Sequence, residues 1–174
     1  HVVFPALHGP WGEGGGAQLH LVELRLPFVG FGPDAARVAI DKQQTRVLAS
    51  EHGVAIATGS VVHPGSPPPC SAPCVLKPLD EGSSVGLTLL NTEDELATAM
   101  AQLTGPALCE AFVPGRECTV PWVLGQVLPV VEIKPASGLY DHEAKYLRND
   151  TVFTVEPGLD PEVQVALEAV SYTH

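Results

Sequence analysis

The stretch VLKPLDEGSSVG, residues 75–86, governs how the rest of the chain is read. Val75 and Leu76 have the apolar character of a short buried strand, yet Lys77 brings a charge to its end and Pro78 stops it. The loop from Asp80 to Gly86 then sets the hydroxyls of Ser83 and Ser84 between Gly82 and Gly86. Such a loop can turn successive backbone N–H groups inward and wrap an anion. A lysine ammonium beside it acts as a point charge on a phosphate. In isolation the same residues also suit a solvated strand end followed by a flexible loop.

Working outward, the 174 residues suffice for one ordinary domain or for part of a larger one, and an apolar content of 45% permits a packed core. Nine basic residues against 20 acidic ones leave a net charge of −11, which argues against nucleic-acid or anionic-membrane partners. A nucleotide held by a few local lysines and a metal remains compatible with it. Cys70, Cys74, Cys109 and Cys118 are too few and too irregular for a disulfide scaffold, and neither a paired CxxC nor an HxxxH spacing occurs. The expectation is free, partly buried thiols in a reducing compartment, without a metal site. No apolar run approaches the ~20 residues of a membrane span, and no signal peptide is evident. The chain opens on HVVFPAL, which reads as mid-strand without a starting methionine, and closes on VSYTH inside a helical pattern. Both ends are expected to be cut.

Along the chain, VVFPAL reads as a buried strand, AQLHLVELR as a helix and LPFVGFG as a short strand and turn. One helix is expected from Asp34 to about His52, opened by Pro33 and closed by Gly53. VAIATGSVV alternates like a strand, and HPGSPPPCSAP is loop. NTEDELATAMAQL is a helix with a capping box at Thr92 and Glu95. Three strands follow, around 107–112, 116–124 and 127–134, the first two joined as a hairpin by VPGRE. PASGLYDHEAKYLRND is a long polar loop, and PEVQVALEAVSY starts a last helix. The expected class is α+β, or mixed α/β.

Beyond Lys77 and its loop, three features bear chemistry. Glu110 and Glu117 flank the tight turn of CEAFVPGRECTV, so both acids are expected near one end of a hairpin. There they suit an adenine amine and ribose hydroxyls, or equally serve as edge-strand charges. Asp41–Lys42 lies mid-helix, where a solvated face is the usual explanation. GLYDHEAKY is dense in titratable and aromatic groups, as loops over active sites often are, though such loops can also simply be hydrated. GxGxxG, GxxxxGK[ST] and GxSxG are all absent from the sequence.

In order, HGPWGE, the DK pair, LKP…EGSSVG, CEAFVPGRECTV, LPVVEIKP and LYDHEAKY resemble the D-alanine–D-alanine ligases, a family of the ATP-grasp superfamily. The resemblance covers nearly the whole chain. It implies an incomplete ATP-grasp fold, with residues 1–33 a remnant of the N-terminal substrate domain and 34–174 an ATP-grasp domain cut at its C-terminus. It implies an ATP-dependent enzyme that phosphorylates the carboxylate of one D-alanine so that the amine of a second can attack the acyl phosphate, for peptidoglycan synthesis in the cytoplasm. Lys42 and Lys77 would hold the phosphates of ATP, Glu110 the adenine amine and Glu117 the ribose, with Phe112 and Val113 lining the base pocket and Tyr140 among the nucleotide contacts. Ser83 and Ser84 would close over the γ-phosphate. Lys145 would support the transferred phosphoryl group, Tyr146 would bond to Ser83, and His8 would lie near the first D-alanine. The intact protein is expected to be a homodimer.

The departures from the family pattern also matter. A glycine-rich segment and a glutamate would precede His1, and the ligands of Mg²⁺ (or Mn²⁺) would follow His174, so no metal residue is assigned. Gly14 and His20 fall where Asp and Gly are expected, and His142 falls where many relatives carry tyrosine. The 174-residue chain alone is expected to bind ATP weakly and to lack turnover. Three alternatives stand beside this reading: a D-alanine–D-lactate ligase, a non-catalytic nucleotide-binding remnant, and a structural α+β domain.

Overall fold

The computed structural model describes residues 1–173, with side chains through residue 170. They form two compact units, His1–Glu51 with Ala55–Phe112, and His52–Val54 with the chain from Val113 on. In the first unit, α1 (Gly9–Glu13) and α2 (Gly16–Glu23) follow the N-terminal segment. VVFPAL is not the buried strand expected. Val3 makes an isolated parallel bridge with Phe28, while Val2 and Phe4 are 65% and 73% exposed. Pro5 has no N–H to offer a ladder, so the pairing cannot run on through it.

The single helix expected over 34–52 is two, α3 (Pro33–Ile40) and α4 (Lys42–Glu51). Asp41 breaks it: its backbone is extended (φ −79°, ψ 106°), and its Oδ1 accepts from the N–H groups of Gln43 (2.9 Å) and Gln44 (3.0 Å). A short acid competes with helical backbone for hydrogen bonds and is stable as a cap, so α3 ends where α4 begins.

The sheet of this unit comprises β1 (Gly59–Val62), β2 (Cys74–Pro78), β3 (Thr88–Leu90) and, after α5 (Glu93–Ala101), β4 (Ala107–Ala111). Its order is β1-β4-β2-β3, antiparallel throughout. Alternation puts Cys74, Leu76, Ala107 and Cys109 on one face, against Leu96 and Met100 of α5. Val75, Lys77 and Glu110 take the other. Thr92 caps α5 as expected, its Oγ1 accepting from Glu95 N (3.2 Å), while the Glu95 carboxylate reaches back past the cap to accept from Asn91 N (2.7 Å) rather than from Thr92 N.

In the second unit, β5 (Glu117–Thr119), β6 (Trp122–Val123), β7 (Gln126–Val127), β8 (Val131–Lys134), α6 (His142–Tyr146), β9 (Val152–Val155) and α7 (Pro161–Thr173) succeed one another. β5-β8-β9 make an antiparallel sheet and β6-β7 a ribbon. The expected hairpin of 107–112 with 116–124 does not form. Both edges of β4 are occupied by β1 and β2, which leaves it none for β5, and β5 pairs with β8 instead. Pro121 ends β5, and the positive φ of Leu124 (50°) and Gly125 (81°) gives β6-β7 a two-residue turn of the primed kind. The expected polar loop contains α6, capped by Asp141, whose Oδ1 accepts from Ala144 N at 2.8 Å. Among the described residues no helix is long and apolar enough to cross a membrane.

Candidate functional site

In the first unit the chemistry-bearing residues gather at the loop between β2 and β3. Lys77 sits near the end of β2, and Lys42 opens α4. Lys42 Nζ donates to the carbonyls of Glu81 (2.7 Å) and Leu79 (3.4 Å), and its backbone N–H donates to Leu79 O (3.0 Å). The start of α4 is thereby stitched to the loop. Ser83 and Ser84 both adopt left-handed backbone conformations (φ +54° and +58°). Such conformations cost a non-glycine residue about 1–3 kcal/mol each and persist where the surroundings impose them. Turns from Val85 N to Gly82 O (3.0 Å) and from Leu87 N to Ser84 O (3.3 Å) hold the loop on itself.

His8, the N-cap of α1, places Nδ1 3.4 Å from Ser83 Oγ, bringing together two residues far apart in sequence. Glu13, within HGPWGE, is a further neighbour of this loop. Its Oε2 accepts from Gly9 N (2.9 Å), and a Cβ placed on Gly82 would stand 2.6 Å from the same oxygen. Glu13, Ala39, Ile40, Lys42, Glu81 and Gly82 line a cavity of about 300 Å³. Burial, and then the like charge of Lys77, lower the Lys42 ammonium below the usual lysine range, while Asp80, Glu81 and Asp41 pull the other way. Lys42 thus binds the loop directly, while Lys77, on the strand that leads into it, lies close enough for the two like charges to act on each other.

Glu110 on β4 has both carboxylate oxygens engaged, Oε1 by Lys77 and Oε2 by Arg46 Nη1 at 2.6 Å. Arg46 Nη2 also donates to Ala57 O (2.8 Å) and Gly59 O (3.1 Å). The side chains of Arg46 and Glu110 are 13% exposed and that of Lys77 21%. Gly59 is glycine because a Cβ there would meet Glu110 Cα at 2.5 Å and Cys109 O at 2.3 Å. Sequence reasoning missed Arg46. The available signal is its place four residues after Lys42, on the same helical face. The expectation of Asp41–Lys42 in mid-helix is corrected: the pair stands at a helix boundary, Asp41 as cap.

In the second unit, Glu117 lies on β5, and burial raises its carboxyl above the ordinary 4.5, with Lys145 pulling it back. Lys145 Nζ stands 5.0 Å from the centroid of the Tyr140 ring, a cation–π contact, and Tyr140 meets Phe153 edge-on at 6.2 Å. The rings of His142 and Tyr146, one turn apart on α6, lie 4.9 Å apart. Arg116 grips both oxygens of Glu132 (2.7 and 3.0 Å) and donates to Pro157 O (2.8 Å), holding Glu132 below the usual carboxylate range. Phe112 N donates to Pro73 O (3.0 Å) at the end of the first unit, and the exposed Val113 belongs to the second. Glu110 and Glu117 are therefore not paired at one hairpin end, since each belongs to a different sheet in a different unit.

Among the described residues, the one group of three or more His, Cys, Asp or Glu side chains close enough to share an ion is Cys70, Cys74 and Cys109. No carboxylate group of that kind occurs among them.

The family model described as D-ala D-ala ligase C-terminus matches residues 69–173. The D-alanine–D-alanine ligase of Cupriavidus taiwanensis is 35% identical over 181 aligned residues, covering 97% of this chain and 55% of that protein. That of Gluconobacter oxydans is 42% identical over 153 residues, covering 83% and 50%. The crystal structure of the D-alanine–D-alanine ligase from Bacillus anthracis superposes with a TM-score of 0.79 at 25% identity, covering 97% of this chain and 58% of that one. The chain spans about half the length of the curated relatives it matches. Its mixed helix-and-strand fold is that of the ATP-grasp ligases. By the family match, the identity of its relatives and its fold, the chain belongs to the D-alanine–D-alanine ligase family.

Proposed function

We propose that this chain is the nucleotide-handling part of an enzyme that joins two D-alanines at the expense of ATP. In that reaction the γ-phosphoryl group passes to the carboxylate of one D-alanine. The amine of the second then forms the peptide bond as phosphate leaves, giving ADP, phosphate and a dipeptide for peptidoglycan precursors. Lys42 and Lys77 hold phosphate oxygens, and Ser83 and Ser84 close over the transferring group. Glu110, Phe112 and Val113 receive the base, with Glu117 and Tyr140 among the ribose and nucleotide contacts. Lys145 supports the phosphoryl group, Tyr146 takes part in closing the site, and His8 bears on the first D-alanine. The work is positioning and charge neutralisation, and closure keeps water from the acyl phosphate. The setting is the cytoplasm, and the intact protein is a homodimer.

The observation that carries this reading is a pair of neighbouring lysines, Lys42 bound to a loop of two left-handed serines and Lys77 on the strand leading into it, with Glu110 holding the Lys77 ammonium. Magnesium is part of the proposed chemistry. The described residues offer it no cluster of three or more carboxylates. The test is calorimetric titration of the chain with ATP, beside Lys42→Met and Lys77→Met. A charge-assisted bond to phosphate is worth about 1.5–3 kcal/mol, so each variant is expected to lose roughly 10- to 100-fold in affinity. Unchanged ATP affinity in both variants overturns the reading.

A further inference from the structure

On the opposite face of β2 and β4 from Lys77 and Glu110, three sulfurs meet. Leu76 stands opposite Cys109 and Cys74 opposite Ala111, so Cys74 and Cys109 are diagonal neighbours on the core face. Cys70 arrives from the irregular segment 63–73 that leads into β2. The three Sγ atoms lie within 4.8 Å of one another, with Cys70 and Cys109 at 3.9 Å. Cys74 and Cys109 are wholly buried and Cys70 is half-buried. In the sequence the trio is a CxxxC followed far downstream by a third cysteine; the β2–β4 register unites Cys74 with Cys109, and the segment before β2 brings Cys70 to them.

A tetrahedral ion with metal–sulfur bonds of about 2.3 Å spaces its sulfurs about 3.8 Å apart; Cys70 and Cys109 stand at nearly that distance, and the trio, all within 4.8 Å, would draw in slightly around the ion. Magnesium and calcium take oxygen ligands, whereas thiolates select soft and borderline ions. We propose that Cys70, Cys74 and Cys109 form a three-sulfur binding site for a divalent thiophilic cation of the zinc type. Its fourth ligand is a water on the side of Cys70, the member of the trio that solvent reaches. As each sulfur–metal bond forms, the thiol proton passes to solvent. Three thiolates around a dication leave one net negative charge, against two around a monocation such as Cu(I), and buried excess charge is costly. The ion would join the strand carrying Lys77 to the strand carrying Glu110 and to the segment preceding them.

The test uses the full chain, reduced and metal-free, titrated with Co²⁺ and then Zn²⁺. Expected are a near-ultraviolet sulfur-to-cobalt charge-transfer band saturating at about one ion per chain and its loss on displacement by Zn²⁺. Zn²⁺ at a hundredfold excess over Kd should also raise Tm by roughly 5–10 °C. Cys70→Ser, at the least buried of the three, should weaken Zn²⁺ binding by at least about tenfold with the circular dichroism spectrum intact, while Cys118→Ser changes nothing. Absence of both the band and the Tm shift overturns the proposal, as does equal affinity in Cys70→Ser. Neither readout involves ATP or D-alanine, so the ligase reading and this one fail separately.

Discussion

Replacing Glu110 with alanine removes the anion between two cations. In the folded chain its Oε1 holds Lys77 and its Oε2 holds Arg46, with only 13% of the Glu110 side chain exposed. Deleting one partner of a buried pair costs about 3–5 kcal/mol, because the surviving charge stays poorly solvated. Arg46 keeps its bonds to Ala57 O and Gly59 O, and Lys77 retains some solvent contact, which places the loss near the lower end, about 3 kcal/mol. For a chain of this size each kcal/mol moves Tm by about 2–4 °C, so Glu110→Ala is expected to melt about 6–12 °C lower. Thermal unfolding followed by circular dichroism measures this. A cycle of Glu110→Gln, Lys77→Met and the double variant isolates the pair, with a coupling of about 0.5–3 kcal/mol expected. A Glu110→Ala Tm within about 2 °C of the parent, or an additive cycle, refutes the claim that this carboxylate organises the cations.

Other expectations follow from local geometry. Thr92→Ala removes the cap of α5 and should cost about 1 kcal/mol in urea unfolding; an unchanged midpoint would show the cap to be decorative. Ser84→Gly should leave Tm level or raise it, while Ser84→Val, β-branched at φ +58°, should lower stability by at least about 1 kcal/mol. The reverse order would contradict a left-handed Ser84. The raised pKa of Glu117 means that the folded state holds this proton more tightly than the unfolded chain does. The group therefore detracts from stability above its folded pKa, and the penalty is relieved as pH falls through that value. Lys145→Met removes the opposing pull and should raise the Glu117 pKa further in a carbon-detected NMR titration; a fall would refute the assignment. Glu132 has the opposite sign: its stabilising bond to Arg116 is present above the unfolded pKa and lost as pH falls through the lowered one, and Arg116→Gln should abolish that acid dependence.

Features governed by neighbours in sequence were the legible ones. The apolar run into Lys77, the Thr92 cap of α5 and the loop 63–73 rest on interactions within a few residues, and the structure has all three. Asp41 was misread although its signal is local, because a cap inside a long apolar period looks like a solvated helical position. The hairpin at VPGRE was illegible for a different reason. A turn motif states that the chain reverses, not that the flanking strands pair, and β4 had already given both edges to strands distant in sequence. Non-local pairing likewise hid the Arg46–Glu110–Lys77 cluster, whose members come from a helix and two strands. The order of motifs along the chain was enough to identify the family, whereas the contacts among their side chains needed the fold.

Arg46 carries one more consequence, for the outer rim of the sheet. Ala111 N donates to Thr58 O at 2.7 Å, so in the alternation of an antiparallel ladder the next residue, Gly59, turns its N–H and C=O away from β4. β1 is a terminal strand, and those outward groups form the template on which a foreign strand could add. The Arg46 guanidinium covers that template by taking the Gly59 carbonyl. The residue that steadies Glu110 thus also occupies an acceptor on the open rim of the sheet that a foreign strand would need.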